Sequence, residues 1–316
     1  MKVALVTGAG GWLGSELTSN LLNSGYCVKA VDLLETAALK QLKQQFPETL
    51  EIVIGNLTEI SKWEQHLEKV DYLYHLAAKV HAKPKNQADI EAFYHINRDC
   101  TQQLFDKALE YGVGKTIFVS TVAVYGKHGN TLITIDTPRN PETPYGISKH
   151  EAEMYGQQLI KENNFALTIV QPVTVYGGQD QGNFKKMYRL AQKGLTVQFG
   201  NGQNQKTVIY YQDLIAMMQQ IGELSETTGK TYICGTEVVS FKQITQKYKQ
   251  TTKAISIVIP ASLARLTSAI GIKLGRKATN IAENIQTLMI DNIYKTNNAL
   301  NNYTKFDDWN VEGEYE

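Results

Sequence analysis

The chain opens on an apolar run, Val3-Ala4-Leu5-Val6-Thr7, that breaks at once into Gly8-Ala9-Gly10-Gly11-Trp12-Leu13-Gly14. No other stretch limits the fold as tightly. The β-branched run reads as a buried strand. Behind the glycines, Leu17, Leu21 and Leu22 recur at helical spacing. Strand, glycine-rich turn and helix together make a pyrophosphate site. The glycines let backbone approach the phosphates, and the helix N-terminus offers free N–H groups and the positive end of a dipole. Gly8, Gly11 and Gly14 keep a Gly-x-x-Gly-x-x-Gly spacing, one residue longer in its first gap than the commoner dinucleotide fingerprint.

The rest of the first half repeats the alternation that such a start requires. Further strands are predicted at 28–31, 51–55, 72–76, 116–120 and 167–170, with a long helix over 88–112 carrying Asn97. Strands alternating with helices at this pitch give a parallel sheet covered on both faces, and ligands lie at the carboxyl ends of its strands. Gly8, Asp32, Asn56-Leu57, Ala77-Ala78, Thr121 and Pro172 all fall at such ends. Asp32 ends the second strand, where a carboxylate accepts hydrogen bonds from the adenosine ribose and repels a 2′-phosphate. That favours NAD over NADP. After residue 172 the pattern is less regular: a turn at Gly200-Asn201-Gly202, a strand over 206–211, a helix from Asp213 to about Glu223, and two strands around a helix over 230–258.

Tyr145-Gly146-Ile147-Ser148-Lys149 supplies the reactive groups. A tyrosine and a lysine four apart share one helix face. Free tyrosine, with a pKa of about 10, is a poor base at neutral pH, and a nearby positive charge lowers that value. The pair is therefore expected to act as a proton carrier near pH 7.

Bulk properties remove other classes. With 316 residues, the chain exceeds what one core usually serves. A net charge of +1 leaves no basic excess for nucleic acid. Cys27, Cys100 and Cys234 are scattered and odd in number, which fits a reducing, cytoplasmic setting without a disulfide framework. The histidines lack metal-ligand spacing, so no metal is expected. The first apolar run is too short for a signal peptide and ends in glycines.

Together, Thr7-Gly8-x-x-Gly11-x-x-Gly14, Asp32, His75-Leu76-Ala77-Ala78, Asn97, Thr121 ahead of Tyr125-Gly126, Tyr145-x-x-x-Lys149, and Pro172 before Val175-Tyr176-Gly177 resemble the extended short-chain dehydrogenase/reductase family, its NAD-dependent epimerase/dehydratase group. The resemblance covers almost the whole length. It implies an α/β fold, a Rossmann doubly wound parallel sheet with a smaller C-terminal substrate-binding domain. Residues 1–172 would form the NAD-binding domain and 173–316 mainly the substrate domain, with some segments returning to the Rossmann sheet. Thr121, Tyr145 and Lys149 would be catalytic: Tyr145 the base, Lys149 on the nicotinamide ribose and tuning Tyr145, Thr121 bonded to the reacting oxygen. Gly8, Gly11, Trp12, Leu13, Gly14, Asp32, Asn56, Leu57, Leu76, Ala77, Ala78, Lys149 and Pro172 would hold NAD. A homodimer is the family expectation.

Three stretches, residues 75–81, 144–153 and Gly182-Asn183-Phe184, look like bacterial 4-epimerases acting on N-acetylhexosamines carried by UDP or, in some relatives, by a polyprenyl diphosphate. Lys79, Thr121, Thr174, Asn183 and Lys206 are the expected substrate contacts. Lys206 stands where many relatives place an arginine on the diphosphate, and Gln171 replaces a common arginine before Pro172. The expected reaction removes the C4 hydroxyl proton and a hydride, passes through a 4-keto sugar, and returns the hydride to the opposite face. A 4,6-dehydratase would need an acid and a base directly after the active-site threonine, where this chain has Val122 and Ala123. A reductase or dehydrogenase of a ketone using the same triad is the alternative, and a cofactor-binding regulatory protein is a third class. Finally, Leu263, Leu266, Ile270 and Leu274, flanked by Arg265, Lys273, Arg276 and Lys277, suggest an amphipathic helix over 259–277. It would either pack on the substrate domain or lie on an anionic membrane.

Overall fold

The computed structural model describes residues 1–80, 84–129, 131–180, 182–262, 289–297 and 302–315. Most of the expected helix over 259–277 lies outside the described residues, as does His81. The described chain divides into two units. The first comprises residues 1–127, 135–172 and 212–234, and the second 128–134, 173–211 and 235–316.

The first unit is built on a seven-stranded, wholly parallel sheet. Its strands are β1 (Val3–Thr7), β2 (Cys27–Asp32), β3 (Leu50–Ile54), β4 (Tyr72–His75), β5 (Lys115–Val119), β6 (Leu167–Pro172) and β10 (Thr231–Cys234). They run in the order β10-β6-β5-β4-β1-β2-β3. Both halves of the sheet grow outward from β1 and β4, so the chain reverses its direction of travel there. A doubly wound sheet opens its ligand crevice at that point. Register keeps the carboxyl ends level, with Thr7 opposite both Val31 and His75.

Helices α1 (Trp12–Asn23) and α2 (Ala37–Gln45) come after the first two strands. On one face, Leu104, Phe105 and Ala108 of α4 (Cys100–Glu110) and Ala152 and Leu159 of α5 (Pro144–Asn163) pack on Leu73, Phe118, Leu167 and Ile169. On the other, α7 (Tyr211–Glu223) lies so close to β4 that a Cβ on Gly222 would stand 2.3 Å from the Tyr74 hydroxyl. Buried aliphatic strands covered on both faces account for the near-continuous apolar runs of the sequence.

The long helix expected over 88–112 is interrupted. It is α3 (Gln87–Tyr94), a π turn over His95–Asp99, and then α4. A π turn inserts one residue into the ladder and re-aims the side chains around it. Here it carries Asn97.

The second unit holds β7 (Thr174–Tyr176), β8 (Leu195–Phe199), β9 (Gln205–Tyr210), β11 (Glu237–Ser240) and β12 (Ile255–Ile259), with α6 (Asn183–Gln192) and α8 (Phe241–Thr252). They form a β11-β9-β7 sheet and a β12-β8 pair. Its core is aromatic: Tyr176 stacks on Phe184 at 5.5 Å and meets Phe306 and Trp309 edge-on. Among the described residues no helix is long and apolar enough to cross a membrane.

Candidate active site

The glycine loop sits where β1 meets the crevice. Gly8 has a φ of +71°, and its N–H bonds the Val31 carbonyl at 2.9 Å. A Cβ there would meet the backbone of Ala77 at 2.8 Å, and one on Gly14 would meet the Gly8 carbonyl oxygen at 2.0 Å. The loop closes only because these side chains are missing. Gly11 stands at the N-cap of α1 and has no side chain to accept from the first N–H groups. A helix N-terminus that begins at a glycine, over a cradle that Cβ atoms would fill, suits a diphosphate.

Asp32 lies beside this loop. Its Oδ2 accepts from the Gly10 N–H at 2.8 Å and its Oδ1 from the Leu33 N–H at 2.7 Å. The carboxylate is thereby aimed and kept at the end of β2. Asn56 is used locally, its Oδ1 accepting from the Thr58 N–H at 3.0 Å while its carbonyl accepts from the Trp63 indole at 2.9 Å. Leu57 is in the core. Leu76, Ala77 and Ala78 are half-buried just past β4, and Pro172 is buried at the end of β6.

Helix α5 delivers the phenol. Thr143 caps it by accepting from the Gly146 N–H at 3.1 Å, and Pro144 occupies the first turn, both ordinary start signals. A Cβ on Gly146 would come within 2.8 Å of the Ala123 carbonyl, so the helix start presses onto the turn beyond β5. That turn begins at Thr121, whose Oγ1 accepts from the Ala123 N–H at 3.1 Å. Thr121 lies near enough to the Tyr145 phenol to act on its pKa.

The ionisation of Tyr145 departs from expectation. Burial pushes its pKa up to about 12, while the nearby Thr121 hydroxyl pulls the other way. The Lys149 ammonium does not make it a phenolate. Its Nζ donates to the Val119 carbonyl at 2.7 Å and lies 4.4 Å from the centre of the Phe118 ring. Burial lowers the Lys149 pKa to about 7, opposed by the charge of Glu153. The chain alone therefore keeps Tyr145 protonated at neutral pH and leaves Lys149 near its midpoint.

Asn97, on the π turn, clamps the segment just past β4. Its Oδ1 accepts from the Lys79 N–H at 2.7 Å, and its Nδ2 donates to the Lys79 carbonyl at 3.0 Å and to Ser148 Oγ at 3.2 Å. The Lys79 ammonium lies 5.7 Å from the ring centre of Phe93, which meets Tyr145 edge-on at 6.5 Å. Thr121, Tyr145, Lys149 and Lys79 thus belong to one neighbourhood of the first unit, at the strand ends that also carry Gly8 and Asp32.

The remaining expected contacts belong to the second unit. Thr174 on β7 and Asn183 at the start of α6 are both exposed. Lys206 on β9 is not the exposed cation expected of a diphosphate clamp. It is buried, and with the Asn292 amide oxygen turned toward it, its ammonium donates there at 3.0 Å. Burial lowers its pKa to about 8, opposed by Asp291. Reading the sequence also missed Glu153 and Gln171 as a buried pair behind Lys149. The four-residue step from Lys149 to Glu153 was the available signal.

With this geometry in place, comparisons define the class. The family model described as "NAD dependent epimerase/dehydratase family" matches residues 4–235, and the chain belongs to that family. It is 29% identical over 222 residues to a UDP-glucose 4-epimerase of Vibrio cholerae, spanning 69% of this chain and 65% of that protein. It is 30% identical over 182 residues to a mouse dTDP-D-glucose 4,6-dehydratase, 56% of this chain and 51% of that one. Among solved structures, the UDP-glucuronic acid 4-epimerase of Bacillus cereus with UDP-glucuronic acid and NAD superimposes with a TM-score of 0.70 at 25% identity, covering 82% of this chain and 86% of that one.

Proposed function

We propose that the chain is an NAD-dependent 4-epimerase of nucleotide-linked sugars, with a UDP-linked N-acetylhexosamine as substrate. The observation that carries this reading is the neighbouring Thr121–Tyr145 pair, with Lys149 one helical turn on, in the same unit as the glycine loop and Asp32. Val122 and Ala123, directly after Thr121, cannot move the protons that a dehydration needs. That separates this chain from the dehydratase branch of its family. The N-acetylhexosamine rests on the sequence stretches at 75–81, 144–153 and 182–184, since the relatives named above are enzymes of UDP-glucose, UDP-glucuronic acid and dTDP-glucose.

In this reading the backbone N–H groups of Trp12, Leu13 and Gly14 hold the cofactor diphosphate, and Asp32 accepts from the adenosine ribose. NAD, when bound, supplies the hydride acceptor and donor for C4, and its oxidised ring adds positive charge. Tyr145 takes the proton of the C4 hydroxyl and later returns it, while Thr121 holds the reacting oxygen in line. A phenol held near 12 needs added positive charge to serve as a base. Lys149 is placed to bond the nicotinamide ribose and to supply such charge. Thr174 and Asn183 are proposed substrate contacts, and Lys206 is one only if it leaves Asn292. A two-domain division near residue 172 and a homodimer are proposed with the same family reading.

The test is direct. Purified protein is incubated with UDP-N-acetylglucosamine, UDP-glucose and UDP-glucuronic acid, and C4 inversion is read by proton NMR. Released small molecules are identified by mass spectrometry. Inversion of the N-acetylhexosamine above the other two, with NAD retained through purification, is the expected result. No inversion of any sugar, together with NADH consumption on a ketone, would replace the epimerase by a reductase.

A further inference from the structure

Helix α5 carries a second buried titratable group that the reaction above leaves unused. Glu153 lies one turn beyond Lys149 and is 1% exposed. Its Oε1 accepts from Gln171 Nε2 at 2.8 Å, and Gln171 Oε1 in turn accepts from the Tyr125 hydroxyl at 2.9 Å. Gln171 and Tyr125 are both completely buried. The chain of bonds thus runs from the turn after β5, through β6, to the face of α5 that carries Lys149.

The carboxyl is faced by Ser120 from the end of β5, by Gln171 from β6, by Arg139 from the segment before α5, and by Lys149 from its own helix. Ser120 Oγ and Glu153 Oε2 are buried with no partner at hydrogen-bond distance, although the serine acts to lower the carboxyl pKa as a longer contact. Lys149 is faced by the Val119 carbonyl, the Phe118 ring, Glu153 and, from β4, His75. His75 is kept neutral, because burial and then Lys149 push its pKa well down. Burial works against both charges, raising Glu153 and lowering Lys149. Glu153 is the group that opposes burial at Lys149.

We propose that Glu153 is the positioning residue that keeps the Lys149 ammonium charged, with Gln171 and Tyr125 fixing its carboxylate from outside the reacting site. A buried carboxylate is costly to keep, and a pinned one beside a buried amine is a fixed electrostatic device. Only the activity arm of the test rests on the epimerase reading.

The test titrates Lys149 in the full chain without added substrate. The lysine Cε resonances are labelled with ¹³C, and that of Lys149 is assigned by its loss in Lys149→Arg. The wild-type midpoint is expected near pH 7. Glu153→Gln keeps shape and removes the charge, and should move the midpoint down by about one pH unit or more, about tenfold in the acid constant. Tyr125→Phe leaves the charge but frees Gln171, and should move it the same way by less. In turnover, the alkaline limb of kcat should shift down with the midpoint while KM for the sugar nucleotide holds. An unmoved midpoint in folded Glu153→Gln would overturn the proposal. Should that variant not fold, an unmoved midpoint in Tyr125→Phe would do so. A midpoint that moves in a protein without epimerase activity would uphold this link and reject only the proposed function.

Discussion

Two regions of the first unit reach the same sheet edge by opposite means. The Gly8–Gly14 loop works by omission: side chains are absent where the Gly8 carbonyl and the Ala77 backbone approach, and the N-cap of α1 is a glycine. The start of α5 works by addition: Thr143 caps it, Pro144 starts it, and Lys149 and Glu153 are packed into the interior behind Tyr145. The first region is a backbone surface waiting for charge from outside. The second has its charges inside, at a desolvation cost that the fold offsets with the Gln171 and Val119 contacts. The loop's properties therefore derive from sterics, and those of α5 from electrostatics.

The largest test of this contrast removes one oxygen from the α5 side. Tyr145→Phe should lower kcat by about 10²–10⁴-fold, the usual contribution of a placed acid/base group. Thermal stability and NAD binding should remain near wild type. More than about a tenth of wild-type turnover would remove Tyr145 from the role of base.

Next comes the one carboxylate of the loop region. Asp32→Ala abolishes the bonds from Gly10 and Leu33 and the acceptor proposed for the ribose. Charge-assisted hydrogen bonds contribute about 1.5–3 kcal/mol, so NAD should bind about 10–100-fold more weakly. Isothermal titration with NAD and NADP should show the preference for NAD shrinking. Wild-type protein that binds both alike would contradict the role assigned to Asp32.

A steric test of the loop is comparable in size. Gly14→Ala places a methyl 2.0 Å from a carbonyl oxygen that cannot swing away. Overpacking of this kind costs about 1–3 kcal/mol. A thermal midpoint unchanged from wild type would show that the loop has slack the structure does not suggest.

These differences also explain what could be read from the sequence. The glycine loop, Asp32, the alternation of strand and helix, and the Tyr145 and Lys149 pair were visible because each depends on local spacing, whereas Thr121, far from Tyr145 in sequence, was reached through the family resemblance. The π turn at 95–99 was not, since one extra residue barely disturbs an apolar stripe along residues 88–112. β7 was missed because it is only three residues long, and β8 although Leu195-Thr196-Val197-Gln198-Phe199 alternates apolar and polar. Ionisation was the furthest out of reach. The four-residue step from Tyr145 to Lys149 correctly placed both on one helix, yet burial, which depends on Phe118, Phe93 and the sheet, sends the phenol up and the amine down. Lys206 shows the same limit: its charge was legible and its burial against Asn292 was not.

The smallest effect separates the two helix starts most cleanly. Thr143 caps α5 with its own oxygen, whereas Gly11 has no side-chain oxygen to offer α1. Gly11 has a φ of −74°, open to any residue, and a Cβ there would meet only the Gly8 carbonyl, at 3.2 Å. Gly11→Ser therefore fits with a small adjustment and would give α1 the side-chain oxygen that it lacks. Serine at this position is better than glycine by a few tenths of a kcal/mol, so the cofactor-free protein should melt slightly higher. The same oxygen would occupy the N–H groups proposed for the diphosphate, so NAD affinity should fall. The two readouts thus move in opposite directions, which a general packing defect cannot produce. If stability and NAD affinity rise together, the α1 N-terminus is not the phosphate site, and the contrast between an open loop and a closed helix start fails with it.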